Sequence, residues 1–246
     1  MKVRSISDLP RRDLLKAAGA AAALGVLSLG GPVAFAQAHK MKIGMIGSGN
    51  VGSALGRVWA KAGHEVMFSS RNLDSDRKLA AEVGSNAGAG TPQEAAAFGE
   101  VLVFAVPYGA LPELGKTLGD SIKGKVAIDA SNPFPQRDGE IANQARTRGA
   151  GLVSAELLPG ARIVRAFNAI GAGRMGAAHE EPGRIGMPIA GDDKQAIEVA
   201  SRLIREIGYE PVRIGGLDMG KHLMPGTALA GEHTPDEIRK IAATLK

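Results

Sequence analysis

The chain has 246 residues, 30 lysines and arginines against 25 aspartates and glutamates, and no cysteine. The first 38 residues hold five basic and two acidic side chains, so the formal charge of +5 falls to +2 without them, which gives no argument for nucleic acid as a partner. The lack of cysteine excludes disulfides, thiolate catalysis and cysteine-ligated iron–sulfur clusters, and it fits an oxidising compartment.

Residues 1–38 read as a signal peptide. Arg11-Arg12 precede an alanine-, leucine- and glycine-rich run at residues 17–29, and Ala36-Gln37-Ala38 is a small-x-small cleavage pattern. Paired arginines before such a run mark twin-arginine export. The run is short for a membrane span, so the expectation is cleavage near Ala38 by the twin-arginine route and a periplasmic mature chain of about 208 residues. That length suffices for one large domain, or one domain with a small appendage.

The chain then organises itself around residues 41–71. A short apolar run from Ile43 to Ile46 meets Gly47-Ser48-Gly49-Asn50-Val51-Gly52. A helical pattern follows through Leu55, Val58 and Trp59, and a second apolar run spans Val66 to Phe68. Strand, glycine turn, helix and strand make the dinucleotide-binding βαβ unit: Gly47 for the tight turn, Gly49 for close approach of backbone to a pyrophosphate, Gly52 for close helix–strand packing. Unpaired N–H groups at the helix start would take the phosphates. After the second strand an NAD site usually carries an acid; here stand Ser69, Ser70, Arg71 and Asn72. Hydroxyls and a guanidinium suit a 2′-phosphate, so NADP(H) is the expected cofactor.

Farther along, residues 79–83 continue a helix, residues 86–90 read as a turn, and Thr91-Pro92-Gln93-Glu94 is a capping box opening a helix to about Phe98. Residues 101–106 form a continuous apolar strand. In a doubly wound sheet its carboxyl end faces the ligand crevice, which puts Ala105, Val106, Pro107 and Tyr108 beside the nucleotide. Tyr108 has two readings: a ring or proton donor in the site, or a tyrosine packed on Leu111. Residues 111–118 read as a helix and 125–129 as a strand. Beyond it, Asn132 either bonds the nicotinamide end of the cofactor or closes an Asx turn before Pro133. Residues 141–148 and 152–158 are short helical or loop segments, and residues 163–167 are a strand ending at Asn168.

The sheet continues through residues 185–190, a helix over 193–207 and a last strand at 210–214. From residue 217 the composition changes: a short helical stretch, a loop, then Thr234-Pro235-Asp236-Glu237, a second capping box that opens a terminal helix. This tail either covers the nicotinamide end of the crevice or makes a homodimer contact. The five histidines show no HxH or HExxH spacing, so no metal site is expected, and no GxSxG elbow occurs. His222 is the candidate proton donor if the substrate is a carbonyl compound, and otherwise a solvent-exposed tail residue.

Taken together, Met45-Ile46-Gly47-Ser48-Gly49-Asn50-Val51-Gly52, Gly63-His64-Glu65 leading to Ser69-Ser70-Arg71-Asn72, Val103 to Pro107, Asp129 to Pro133, Val164 to Asn168, and Gly191-Asp192-Asp193 with Gly215-Gly216-Leu217 resemble the coenzyme F420-dependent NADP oxidoreductase family. The resemblance implies NADP(H) over the glycine loop, with Ser70 and Arg71 on the 2′-phosphate. It also implies an acceptor near Val106-Pro107, Asn168 to Ile170 and Gly216-Leu217. The expected fold is α/β, a Rossmann-type doubly wound, mostly parallel sheet over residues 39–216 with a helical extension at 217–246. The expected activity is hydride transfer between NADP(H) and a flavin, a deazaflavin, or a small carbonyl or quinone; the competing class is a dinucleotide-binding protein without turnover.

Overall fold

The computed structural model describes residues 40–245, so the export-signal expectation lies outside the described residues. Six strands run parallel: β1 (Lys42–Ile46), β2 (Glu65–Ser69), β3 (Ala87–Ala89), β4 (Val101–Phe104), β5 (Val126–Asp129) and β6 (Arg162–Arg165). Two more, β7 (Gly186–Gly191) and β8 (Glu210–Gly215), complete one sheet of order β3-β2-β1-β4-β5-β6-β7-β8. The expectation of a Rossmann-type, mostly parallel sheet with a helical C-terminal extension holds. β7, however, pairs antiparallel with β6, in the register Val164 to Gly191. β8 runs parallel to β7, so the last two strands point the other way.

Successive strand residues feed opposite layers, as the period of two requires. Ile43, Met45, Val101, Val103, Val126 and Ile128 face one core together with α1 (Asn50–Lys61) and α9 (Lys194–Glu206). Ile46, Leu102, Phe104, Ala127 and Ile163 face the other. That second layer is closed by α3 (Pro92–Phe98), α4 (Leu111–Leu118), α6 (Glu140–Arg148) and α7 (Ala150–Leu157). α2 (Leu73–Val83) follows β2, while α5 (Pro135–Asp138) and α8 (Ala172–Met175) are single turns in the loops after β5 and β6. Both capping boxes form as the sequence predicts, at Thr91 with Glu94 and at Thr234 with Glu237; the second opens α10 (Pro235–Ala242).

Local departures from the sequence reading have physical causes. The stretch expected as a turn at 86–90 contains β3, an edge strand paired with β2; its Ala-Gly-Ala composition hides it. The strand expected to reach Val106 ends at Phe104, because the chain turns into a 3₁₀ segment at Tyr108–Ala110. Ala150–Leu157 is a full helix. Residues from Lys40 onward form one compact unit, with the tail inside it: Leu223, Leu229 and Ile238 are buried with Ala190 and Val212. No helix among the described residues is long and apolar enough to cross a membrane.

β7 comes in from beyond the carboxyl end of β6 and runs back alongside it: Ala190 stands opposite Arg165 and Gly191 opposite Val164, and Gly215 pairs with Ala190, level with the last residues of β5 and β6. Leu217 N–H donates to Asp192 Oδ1 at 3.1 Å. Farther along the tail, Gly231 N–H donates to the Ala169 carbonyl at 2.8 Å, beyond the carboxyl end of β6.

Candidate functional site

The carboxyl ends of β1, β2 and β4 border a cleft of about 850 Å³. Its lining includes Ile46 to Gly49, Ser70 to Asn72, Ala105 to Pro107 and Arg137-Asp138. Gly47 adopts φ +102°, and a Cβ there would strike the Ala105 carbonyl. A Cβ on Gly52 would collide with the Gly47 carbonyl, which is why helix and turn pack so closely. A Cβ on Gly49 would meet nothing within 4 Å, so this glycine leaves room on the cleft side. The α1 N-terminus starts at Gly49 with no side-chain cap and no acid in its first turn, leaving its N–H groups ready for an anion. Asn50 is exposed at that turn, and Val51 packs partly against the core.

Farther along the cleft, Arg71 is exposed and makes no ion pair among the described residues. Asn72 spends its side chain as the N-cap of α2, accepting from Ser75 N–H at 3.1 Å. Ser69 does not face the cleft: its buried hydroxyl donates to the Met45 carbonyl at 2.6 Å, pinning β2 to β1, so the sequence expectation for its side chain is corrected. Ser48 and Ser70 line the cleft but share a partner the sequence reading missed. Asp76, 1% exposed in α2, accepts from the Ser48 hydroxyl and from Ser70 Oγ at 2.8 Å.

Val106, Pro107, Ala110 and Leu114 supply an apolar wall of the kind a nucleobase uses. Against Gly109 of the same wall lies Asp138, paired with Arg137, whose Nη2 donates to the Asn132 carbonyl at 2.8 Å and ties this wall to the end of β5. Burial by itself would raise the Asp138 carboxyl, but hydrogen bonds from Arg137 and from the Phe134 and Gly109 backbone together hold it below the usual range. Glycine turn, open helix start, unpaired Arg71 and apolar wall together fit a dinucleotide with a 2′-phosphate.

The chain is similar to known proteins. Residues 42–133 match the family described as NADP oxidoreductase coenzyme F420-dependent. Over 195 residues the chain is 32% identical to the F420-dependent NADP reductase of Methanothermobacter thermautotrophicus, covering 72% of this chain and 82% of that protein. The chain belongs to the F420-dependent NADP oxidoreductase family. Among solved structures, a hypothetical protein from Sinorhizobium meliloti aligns with a TM-score of 0.65 at 25% identity, over 80% of this chain and 95% of that one. A putative F420-dependent NADP reductase from Arthrobacter sp. FB24 gives a TM-score of 0.64 at 23% identity, over 74% and 87%, a likeness of fold. This F420-dependent NADP oxidoreductase relative is thus an oxidoreductase of the NADP(H)-binding type.

In this family member the ends of β5 and β6 meet at an asparagine pair. Asn132 Nδ2 donates to the Asn168 carbonyl at 2.8 Å, and Asn168 Nδ2 donates to the Ser131 carbonyl at 3.3 Å. Both Oδ1 atoms are buried without a partner. Buried amide oxygens are normally bonded, and neither asparagine lines the cleft. Just before Asn168, Phe167 holds φ +66°, the left-handed region that costs a non-glycine residue about 1–3 kcal/mol.

Two expected proton donors lie elsewhere. Tyr108 is fully buried in the second core layer, where its hydroxyl donates to the Ala150 carbonyl at 2.8 Å and meets Ser154 Oγ at 3.0 Å. Burial, and then the charge of Asp129, pushes this phenol up to about 12. Its sequence position at a strand end suggested the crevice, but the 3₁₀ turn rolls the ring inward. His222 sits in the 3₁₀ segment Leu217–Leu223 and does not line the cleft. No cluster of metal-ligating side chains occurs among the described residues. His64 serves structure: its Nδ1 accepts from Met41 N–H, so the ring proton sits on Nε2 and is donated to Glu206 at 2.7 Å.

Proposed function

We propose that this protein exchanges hydride between NADP(H) and a flat ring acceptor of the deazaflavin or flavin class. One observation carries the reading: over 195 residues the chain is 32% identical to an F420-dependent NADP reductase, and Tyr108, one of the two side chains expected as proton donors, is spent on hydrogen bonds in the core. Reduction of a carbonyl needs a placed acid for the new alkoxide, whereas transfer between two rings needs them aligned and dry. NADP(H), when bound, supplies or accepts the hydride. The α1 N-terminus and Gly47 to Gly52 receive the pyrophosphate, Arg71 faces the 2′-phosphate, and the apolar wall at Val106 to Pro107 takes the base. The nicotinamide end would lie toward Asn132 and Asn168, at the ends of β5 and β6. The names of the relatives, F420-dependent NADP reductases, agree with a deazaflavin acceptor.

The test is NADPH oxidation followed at 340 nm against F420, FMN, a quinone, aldehydes and ketones, with oxygen excluded. Turnover with the ring acceptors is expected. Turnover confined to the aldehydes and ketones, and lost in His222→Gln, would replace this reading with carbonyl reduction.

We also infer that the protein acts outside the cytoplasm after twin-arginine export. Arg11-Arg12, the apolar run and Ala36 to Ala38 support this, as does a compact unit that begins at Lys40, two residues after the cleavage pattern. Exchange of both arginines for lysine should leave the precursor in the cytoplasm; normal periplasmic accumulation would remove the inference.

A further inference from the structure

The cofactor site contains a charge of the wrong sign. Asp76 lies in the first turn of α2, where the helix N-terminus favours a carboxylate, and it is buried behind the two serines that line the cleft. Ser70 Oγ stands 2.8 Å from Oδ2 and 3.0 Å from Oδ1, and Ser48 Oγ donates to Oδ1. A hydroxyl has one proton. Both are directed at Asp76, away from the cleft, and a bond to a carboxylate outranks the 3.4 Å alternative from Ser70 to the Asn72 carbonyl. What the serines show the cleft is lone pairs. A 2′-phosphate is itself an acceptor and an anion, so it gains no donor from either serine and is repelled by the carboxylate behind them.

We propose that Asp76 sets the discrimination between 2′-phosphorylated and unphosphorylated nucleotides, holding it low by sequestering the hydroxyl protons of Ser48 and Ser70. Arg71 then supplies the side-chain attraction for the 2′-phosphate by itself. The proposal rests on the nucleotide reading of the cleft. Asn at position 76 keeps the shape of the side chain and removes the charge. Its Oδ1 accepts from one serine while its Nδ2 donates to the other, which frees that serine's proton for the phosphate.

The experiment is calorimetry on the full chain, wild type and Asp76→Asn, with adenosine 2′,5′-bisphosphate and adenosine 5′-monophosphate as probes. In the wild type the 2′-phosphate should improve affinity by no more than about 150-fold, the reach of one charge-assisted contact. In Asp76→Asn the ratio of bisphosphate to monophosphate affinity should rise about tenfold, over and above anything Ser48 in the glycine loop gives to the 5′-phosphate of both probes. An unchanged or smaller ratio of the two affinities in the variant overturns the proposal. Should Asp76→Asn fail to fold, the wild-type ratio decides: a 2′-phosphate increment above about a thousandfold would require the serine donors and overturn it equally. If neither probe binds folded wild-type protein, the nucleotide reading itself fails and this proposal with it, a result distinct from binding without the expected ratio.

Discussion

Arg165 donates from Nη1 to Asp129 Oδ2 at 2.6 Å, and both side chains are wholly buried between the sheet and α7. Asp129 also accepts from Ser131 N–H at 2.9 Å and Ser154 Oγ at 2.7 Å, while Arg165 Nη2 reaches the Ser131 carbonyl at 3.0 Å. The pair therefore braces the segment that leads to Asn132. Removing one partner strands the other charge in the core, so Arg165→Ala should lower stability by about 3–5 kcal/mol. Urea unfolding gives the value, and a loss below about 1 kcal/mol would show that Asp129 finds solvent or a proton when left alone.

Tyr108 belongs to the same network and not to the cleft. Tyr108→Phe should cost about 0.5–1.5 kcal/mol in stability, the usual worth of one hydrogen bond, and leave hydride transfer from NADPH intact. A turnover loss of about a hundredfold or more, the smallest loss typical of a missing general acid, would return the residue to the active site.

Arg71→Ala should weaken NADPH roughly 10- to 150-fold while NADH binding changes little, because the lost contact is to the 2′-phosphate. Calorimetry with both nucleotides reads the difference. Equal losses would assign Arg71 to the adenine pocket or to folding.

Acid stability should depend on Asp193, which caps α9 by accepting from Ala196 N–H at 2.9 Å. Hydrogen bonds from Arg162, and next from the Ala196 backbone, hold its carboxyl down from 3.8 to about 2. A carboxyl depressed in the folded state contributes stability above its unfolded value, near 3.8, and that contribution drains away as the pH falls towards 2. Asp193→Asn should thus flatten the stability profile between about pH 4 and 2. An unchanged slope in thermal melts across that window would assign the acid sensitivity to other carboxylates.

The first βαβ unit was legible because its signals are local: glycine spacing, a period of two on either side, and a helical period between. The capping boxes were legible for the same reason. β3 was not, since Ala87-Gly88-Ala89 holds no β-branched or aromatic residue and forms only because β2 offers it an edge. Asp76 was invisible for a different reason. It sits in a helix among other polar residues, and its importance comes from Ser48, which is 28 positions away. Arg165 carries no signal of its own within the strand at 163–167; the alternation that turns Ile163 to the second core layer turns Arg165 there too, onto Asp129. The direction of β7 had no sequence signature either, because an apolar strand reads the same both ways.

The chain has a single tryptophan, and its position gives it a use. Trp59 is wholly buried, its indole N–H donates to the Leu203 carbonyl at 2.9 Å, and its ring stands edge-on to Phe167 at 5.8 Å. Phe167 in turn meets Tyr209 at 5.9 Å and carries the left-handed backbone that presents Asn168. Intrinsic fluorescence excited at the indole therefore comes from one site with one environment, next to the residue that precedes Asn168 beyond the end of β6. A blue-shifted emission band should report the intact packing, and any change of Phe167 that accompanies nucleotide binding should appear in its intensity without a label.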